Sequence, residues 1–189
     1  MTGQSTGGSG HAWLLGALLA AGVVAVYWPV TRYGFVGYDD GDYVYNNTVI
    51  RQDGWRGLYD VVRPRLLPPA HGDYLPMTML SYWVDYRIWG DDPTGYHLTN
   101  IVLHGLNAGL LVVILVRLSG QWWASVVAGV LVGLHPMNTE AVSWVSERKS
   151  VLSMAWMLAS LLVWVRWQAA IDGGERRRWW WYGAAVLCY

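Results

Sequence analysis

Two short stretches of this chain hold residue types that can do chemistry together. In FVGYDDGDYVYNN (35–47), Asp39 and Asp40 are adjacent; in HPMNTEAVSWVSERKS (135–150), His135, Glu140, Glu147, Arg148 and Lys149 fall within sixteen residues. Adjacent carboxylates point in different directions, so one can take the proton of a substrate hydroxyl while its neighbour orients or binds. Asp40-Gly41-Asp42 also reads as an Asp-x-Asp step, a spacing at which oxygens can hold a divalent cation. A solvated Asp/Gly turn has the same composition. Arg148 and Lys149 are two neighbouring cations of the kind that grip a phosphate or pyrophosphate headgroup. The same pair at a helix end also serves simply to snorkel. Pro136 suits the first turn of a helix. If 136–149 is helical, Glu140, Trp144 and Glu147 share one face, at spacings of 4 and 3.

A third set is a polar stripe, His97, Asn100, His104 and Asn107. Its 3, 4, 3 spacing puts all four in one narrow sector of a helix. Such groups in a membrane helix face the bundle interior or a wet cavity. Interhelical hydrogen bonding and a direct place at a site for His97 and His104 are both compatible with the pattern.

The elements that must position these residues are apolar. The chain has 189 residues, 54% hydrophobic and only 14% charged, against about 25% charged in soluble domains. Fourteen Trp against one Phe is the aromatic usage of a chain that sits at membrane–water interfaces. Net charge is zero, which removes the global electrostatic case for nucleic acid. A single cysteine, Cys188, excludes an intrachain disulfide.

Spans are expected at about 11–30, 96–118, 121–135 and 150–168, with a fifth begun at Trp179 and incomplete at Tyr189. The expected fold class is all-α integral membrane, about four full spans plus a truncated fifth, as in the N-terminal fragment of a longer protein. The first span lacks a basic leader and a small-residue cleavage step, so it reads as a retained helix. Residues 1–10, MTGQSTGGSG, read as a disordered tail. Gly105-x-x-x-Gly109 and Gly129-x-x-x-Gly133 are spacings that let helices approach closely. Arg117 and the run Arg176, Arg177, Arg178 put one set of loops on the cytoplasmic side. Residues 31–95 and 136–149 then face the other compartment. The 31–95 segment is too long for a bare connection, and MTMLSYWVDYRIWG (77–90) reads as an amphipathic helix on the membrane surface.

Three segments carry a family resemblance: FVGYDD (35–40), YLPMTMLSYWVDYRIWGDDPTGYHLTNIVLHGLNAGLL (74–111) and HPMNTEAVSWVSERKSVLS (135–153). In order and spacing they resemble the transmembrane-and-tetratricopeptide-repeat proteins related to protein O-mannosyltransferases, in particular bacterial members. The chain departs from that pattern at Leu75, often basic in the family, and at Ser150, often Asp. The resemblance implies a glycosyltransferase of the GT-C architecture, in a bacterial inner membrane. The enzyme would move a sugar, mannose for instance, from a polyprenyl-phosphate donor to a protein hydroxyl on the non-cytoplasmic face. Membrane lipid, the lipid-linked sugar and a protein acceptor are the implied partners, with no cofactor and no metal required. Asp39 or Asp40 would be the base and the other a positioning group. His135, Glu140, Glu147, Arg148 and Lys149 would line the same cavity, the two cations near the lipid phosphate. The rival within the same lineage is a non-catalytic membrane scaffold whose tetratricopeptide repeats bind partners.

Overall fold

The computed structural model describes residues 7–62, 74–172 and 178–188. Among them every regular element is helical. The helices are α1 (Gly7–Tyr27), α2 (Gly54–Val62), α3 (Pro76–Trp89), α4 (Pro93–Ser119), α5 (Trp122–Leu134), α6 (Thr139–Ser143), α7 (Arg148–Asp172) and α8 (Arg178–Cys188), with short tight turns at Trp28–Arg32, Pro136–Asn138 and Val145–Glu147 and a wide π-type turn at Gly41–Tyr45.

The punctuation is written in the sequence. Pro76 and Pro93 open α3 and α4, where a missing N–H is no loss. Gly90 closes α3 at φ +61°, its N–H returning to the Tyr86 carbonyl, a conformation that costs a residue with a Cβ more than it costs glycine. The Asp92 carboxylate accepts the Thr94 N–H at 3.0 Å and so caps α4. His135 is extended, at φ −66° and ψ 132°, as a residue before proline must be, and that step ends α5.

Three helical stretches are long and apolar enough to cross a membrane: Gly10–Arg32, Pro93–Ser119 and Val145–Ile171. The expected third span is shorter. Trp122–Leu134 has 13 residues, and at about 1.5 Å per residue it reaches roughly two thirds of a 30 Å hydrocarbon core. The tail also differs from expectation, because α1 is already helical from Gly7; residues 1–6 lie outside the described residues, as do Arg176 and Arg177 of the basic run.

The chain divides into two compact units. The first comprises Met1–Val26, Val102–Asn138 and Ser153–Tyr189. Small residues bring its helices together. A Cβ on Gly109 would meet the Gly16 carbonyl, one on Gly105 the Ala20 carbonyl, and one on Gly129 the side chains of Val112 and Leu19. This is close backbone approach of the kind that membrane helices use in place of a hydrophobic driving force. His104 and Asn107 are buried here. The His104 Nε2 lies 3.0 Å from the Gly133 carbonyl, so His104 joins α4 to α5. Ser160 on α7 donates to the Ala185 carbonyl on α8 at 2.9 Å. Leu14, Leu18, Leu106, Val127, Leu131 and Met157 are exposed, an outer surface suited to lipid.

The second unit comprises Tyr27–Ile101 and Thr139–Leu152. Its core is Tyr43, Val44, Ile50, Val61, Met79, Tyr82, Tyr96 and Val145. Residues 77–90 form the helix expected of them, with Met77, Val84, Ile88 and Trp89 exposed on one side. Thr78, Met79, Tyr82 and Asp85 of α3 are buried in this unit, so α3 is a central packing element. Two arginines lash the 45–53 segment to its neighbours. Arg51 bonds Asp91 at 2.5 Å, the Tyr86 hydroxyl at 3.1 Å and the Tyr45 carbonyl at 2.8 Å. Arg87 donates to the Ile50 carbonyl at 2.9 Å and lies over the Trp83 ring at 3.5 Å.

Candidate functional site

The two chemistry-bearing segments meet in the second unit. Asp40 is fully buried, and both of its oxygens are engaged. Oδ2 accepts the Val36 N–H at 2.8 Å; Oδ1 accepts the Ser146 N–H at 2.9 Å and, more closely still, the Ser146 hydroxyl. That carboxylate ties positions 106 residues apart in the chain. Charge-assisted bonds of this kind are about twice as strong as neutral ones. Asp40 therefore pins the two segments together.

The helical lead-in expected over 136–149 is present but broken. α6 stops at Ser143, Trp144 is extended at φ −94° and ψ 121°, and the chain makes one tight turn at Val145–Glu147 before α7. Glu140, Trp144 and Glu147 consequently do not share a helix face. The corner at Trp144 resets the backbone so that carbonyls and N–H groups point into the unit. The Trp144 carbonyl accepts from the Asn100 amide at 3.1 Å and the Val145 carbonyl from the Tyr82 hydroxyl at 2.7 Å, while the Ser146 N–H reaches Asp40. Burial holds the Tyr82 phenol far above its ordinary pKa, so it remains a donor.

Arg148 is placed differently from the phosphate-gripping expectation. Its exposure is 0%. Nε donates to the Asn100 Oδ1 at 2.7 Å and Nη2 to the Tyr96 carbonyl at 2.9 Å, Nη1 reaches Ser81 at 3.3 Å, and the guanidinium lies 4.6 Å from the Tyr82 ring centroid. Its counter-ion is Asp85, with Nη1 2.5 Å from Oδ2. The angle is poor for a hydrogen bond, so this is a close ion pair. The other Asp85 oxygen accepts the Thr99 hydroxyl at 3.0 Å. Burial pushes the Asp85 carboxyl up, against the opposing pull of Arg148 and Thr99.

At the rim remain Asp39, Glu147 and Lys149, each partly buried. The Lys149 ammonium is 3.3 Å from Glu147, with side chains 31% and 22% exposed, and Glu147 also accepts the Ser150 hydroxyl at 2.9 Å. Asp39 and Tyr43 lie close enough to Lys149 to act on its charge. Tyr38, exposed, packs against Trp144 with ring centroids 6.1 Å apart. His97 is buried beside the Gly34 carbonyl, at 3.4 Å, and edge-on to Tyr33. Glu140 and His135 are exposed, and the His135 Nδ1 accepts the Met137 N–H at 3.2 Å. Of the residues expected to act together, the structure thus gathers Asp39, Asp40, Glu147 and Lys149, with His97 within electrostatic reach of Asp40. Glu140 is not tied to them.

Asp85, Tyr82, Ser81 and Ser146 were not singled out by the sequence. One signal was present: Thr78, Tyr82 and Asp85 recur at spacings of 4 and 3, so an acid falls on the stripe that α3 buries. A buried acid requires a buried cation, and Arg148 is the one that meets it.

The fold and these contacts define an all-helical, multi-pass membrane protein. It carries a helical unit with its own aromatic core and a rim of two carboxylates and an ammonium. No family model and no solved structure matches the chain. Its sequence is related to animal protein O-mannosyl-transferases. It is 37% identical over 97 residues to protein O-mannosyl-transferase tmtc2 of Xenopus laevis, covering 51% of this chain and 12% of that protein. It is 29% identical over 159 residues to protein O-mannosyl-transferase TMTC3 of Homo sapiens, covering 79% and 16%. To protein O-mannosyl-transferase Tmtc1 of Drosophila melanogaster it is 30% identical over 170 residues, covering 86% and 19%. The chain spans 12% to 19% of the length of these three relatives.

Proposed function

We infer that this chain is the part of a membrane glycosyltransferase that holds the acceptor-activating base and the phosphate contact. The donor is a polyprenyl-phosphate sugar, mannose by the relatives' names, and the acceptor is a protein hydroxyl. The observation that carries the reading is the junction of the 35–47 and 144–149 segments at the Asp40–Ser146 pin, which leaves Asp39, Glu147 and Lys149 together at a partly open rim.

The division of labour follows from burial. Asp40 is the positioning carboxylate, because its oxygens already accept three donors. Asp39 takes the proton of the acceptor hydroxyl as that oxygen attacks the anomeric carbon. The bond from the anomeric carbon to the phosphate oxygen breaks, and polyprenyl phosphate departs with the electron pair. Lys149 stabilises the charge that develops on it. Glu147 holds the ammonium in place and adds negative potential beside the oxocarbenium-like sugar. Arg148 does not touch the phosphate. The reaction face is non-cytoplasmic on the basis of Arg117 and the 176–178 run.

The test is sugar transfer from polyprenyl-phosphate mannose to an acceptor peptide, by the protein in membranes. Asp39→Asn and Lys149→Ala should each lower transfer by about 10²-fold or more. Transfer at the parent rate in both variants, at equal protein level, refutes the assignment.

A further inference from the structure

Tyr82 and Asp85 lie one turn apart on α3, outside both chemistry-bearing segments, yet both act on the turn between them and the site. The Tyr82 hydroxyl holds the Val145 carbonyl at 2.7 Å. Asp85 holds Arg148, the first residue of α7. With Arg148 turned wholly inward, the next residue is rotated by about 100° around the helix axis. That rotation carries Lys149 out to the partly open side, beside Glu147.

Stability alone is a weak reason to bury such a pair. Apolar residues of similar volume often hold a fold equally well or better. What an apolar pair lacks is direction. The Arg148 guanidinium is met by Asn100, by the Tyr96 carbonyl and by Asp85, which fixes the rotation of the first turn of α7.

We propose that Asp85 is a positioning residue: through Arg148 it sets the rotation of the start of α7, and so holds the Lys149 ammonium beside Glu147, on the side where the Asp39–Asp40 segment meets Ser146, with Tyr82 fixing the Val145 carbonyl. The use of Lys149 on a lipid phosphate rests on the function proposed above; its placement by Asp85 does not.

The test separates the two. In the full chain carrying Cys188→Ala, Asp39→Cys and Lys149→Cys are joined by a short bis-maleimide. The internal cross-link forms readily with Asp85 and Arg148 in place. Asp85→Leu with Arg148→Met removes both buried charges together and so spares the fold. It should lower the cross-link yield about fivefold at an unchanged unfolding temperature, because an apolar pair leaves the helix free to rotate beyond the 10–20° a site tolerates. Tyr82→Phe keeps the ring and removes one hydrogen bond; it should lower the yield by about half and decides the matter if the double variant does not fold. Parent-level yield in the folded variants overturns the proposal. A second arm keeps Asp39 and Lys149 intact and measures binding of a polyprenyl phosphate in nanodiscs. The Leu/Met pair should weaken it about tenfold. Loss of cross-linking with no polyprenyl-phosphate affinity in the parent chain upholds the positioning role and removes the lipid-phosphate role of Lys149.

Discussion

The two units of this chain are built on opposite uses of polarity. In the first, glycines and alanines let backbones touch, and polar side chains bond mainly to backbone carbonyls, as His104 does to Gly133 and Ser160 to Ala185. Its large apolar side chains Leu14, Leu18 and Leu131 point outward. In the second, aromatic rings fill the interior, and a charged pair lies among them with its partners arranged around it. The difference follows from the surroundings each surface suits. Lipid offers no hydrophobic driving force between helices, so close packing must supply it. A unit with an aromatic core gains from burying apolar area, and can carry a buried ion pair only if every charge is met.

Breaking the pair should give the largest effect. Arg148→Ala leaves Asp85 charged and buried without its cation, a loss of about 3–5 kcal/mol. Hydrogen exchange over 76–89 and 145–152 should lose protection while 102–118 keeps it. Loss spread evenly over both sets would mean that the units do not differ in this way.

The first unit should yield to size instead of charge. Gly109→Val drives a side chain into the Gly16 carbonyl and should cost about 1–3 kcal/mol in a detergent unfolding titration. Gly22→Val, on a helix surface with open space around it, should change stability by less than about 0.5 kcal/mol. Equal losses in the two variants would remove the close-approach account.

The smallest effect belongs to the exposed staple of the second unit. Arg51 holds the Asp91 carboxyl below its ordinary range. A depressed carboxylate stabilises the fold above its unfolded pKa, and that contribution fades as pH falls through the lower, folded value. With a carboxylate 62% exposed, Asp91→Asn should cost about 0.2–1 kcal/mol at pH 7 and nothing further in acid. A penalty that grows as pH falls contradicts the sign.

Much of the architecture was legible before any coordinates. Apolar runs and the His135-Pro136 step gave the long helices to within about four residues at each end, because hydropathy and proline act locally. The stripe His97, Asn100, His104, Asn107 was correctly read as an inward face. What was not legible depended on partners distant in sequence. Residues 77–90 form the expected helix, but period and composition do not say that its Thr78, Tyr82 and Asp85 stripe meets a protein core. The 136–149 string looked like one helix because nothing local announces the corner at Trp144; the bonds that hold it come from Asn100, Tyr82 and Asp40.

The sequence by itself determined that this is an all-helical membrane chain and which side chains could carry acid, base and cation. Those follow from composition, period and residue chemistry. Only the tertiary structure decided which carboxylate is pinned and which stands at the rim, and that of two neighbouring cations Arg148 turns inward while Lys149 turns out. A charge becomes structural or functional through what surrounds it, and for Arg148 that surrounding is Asp85, 63 positions earlier in the chain.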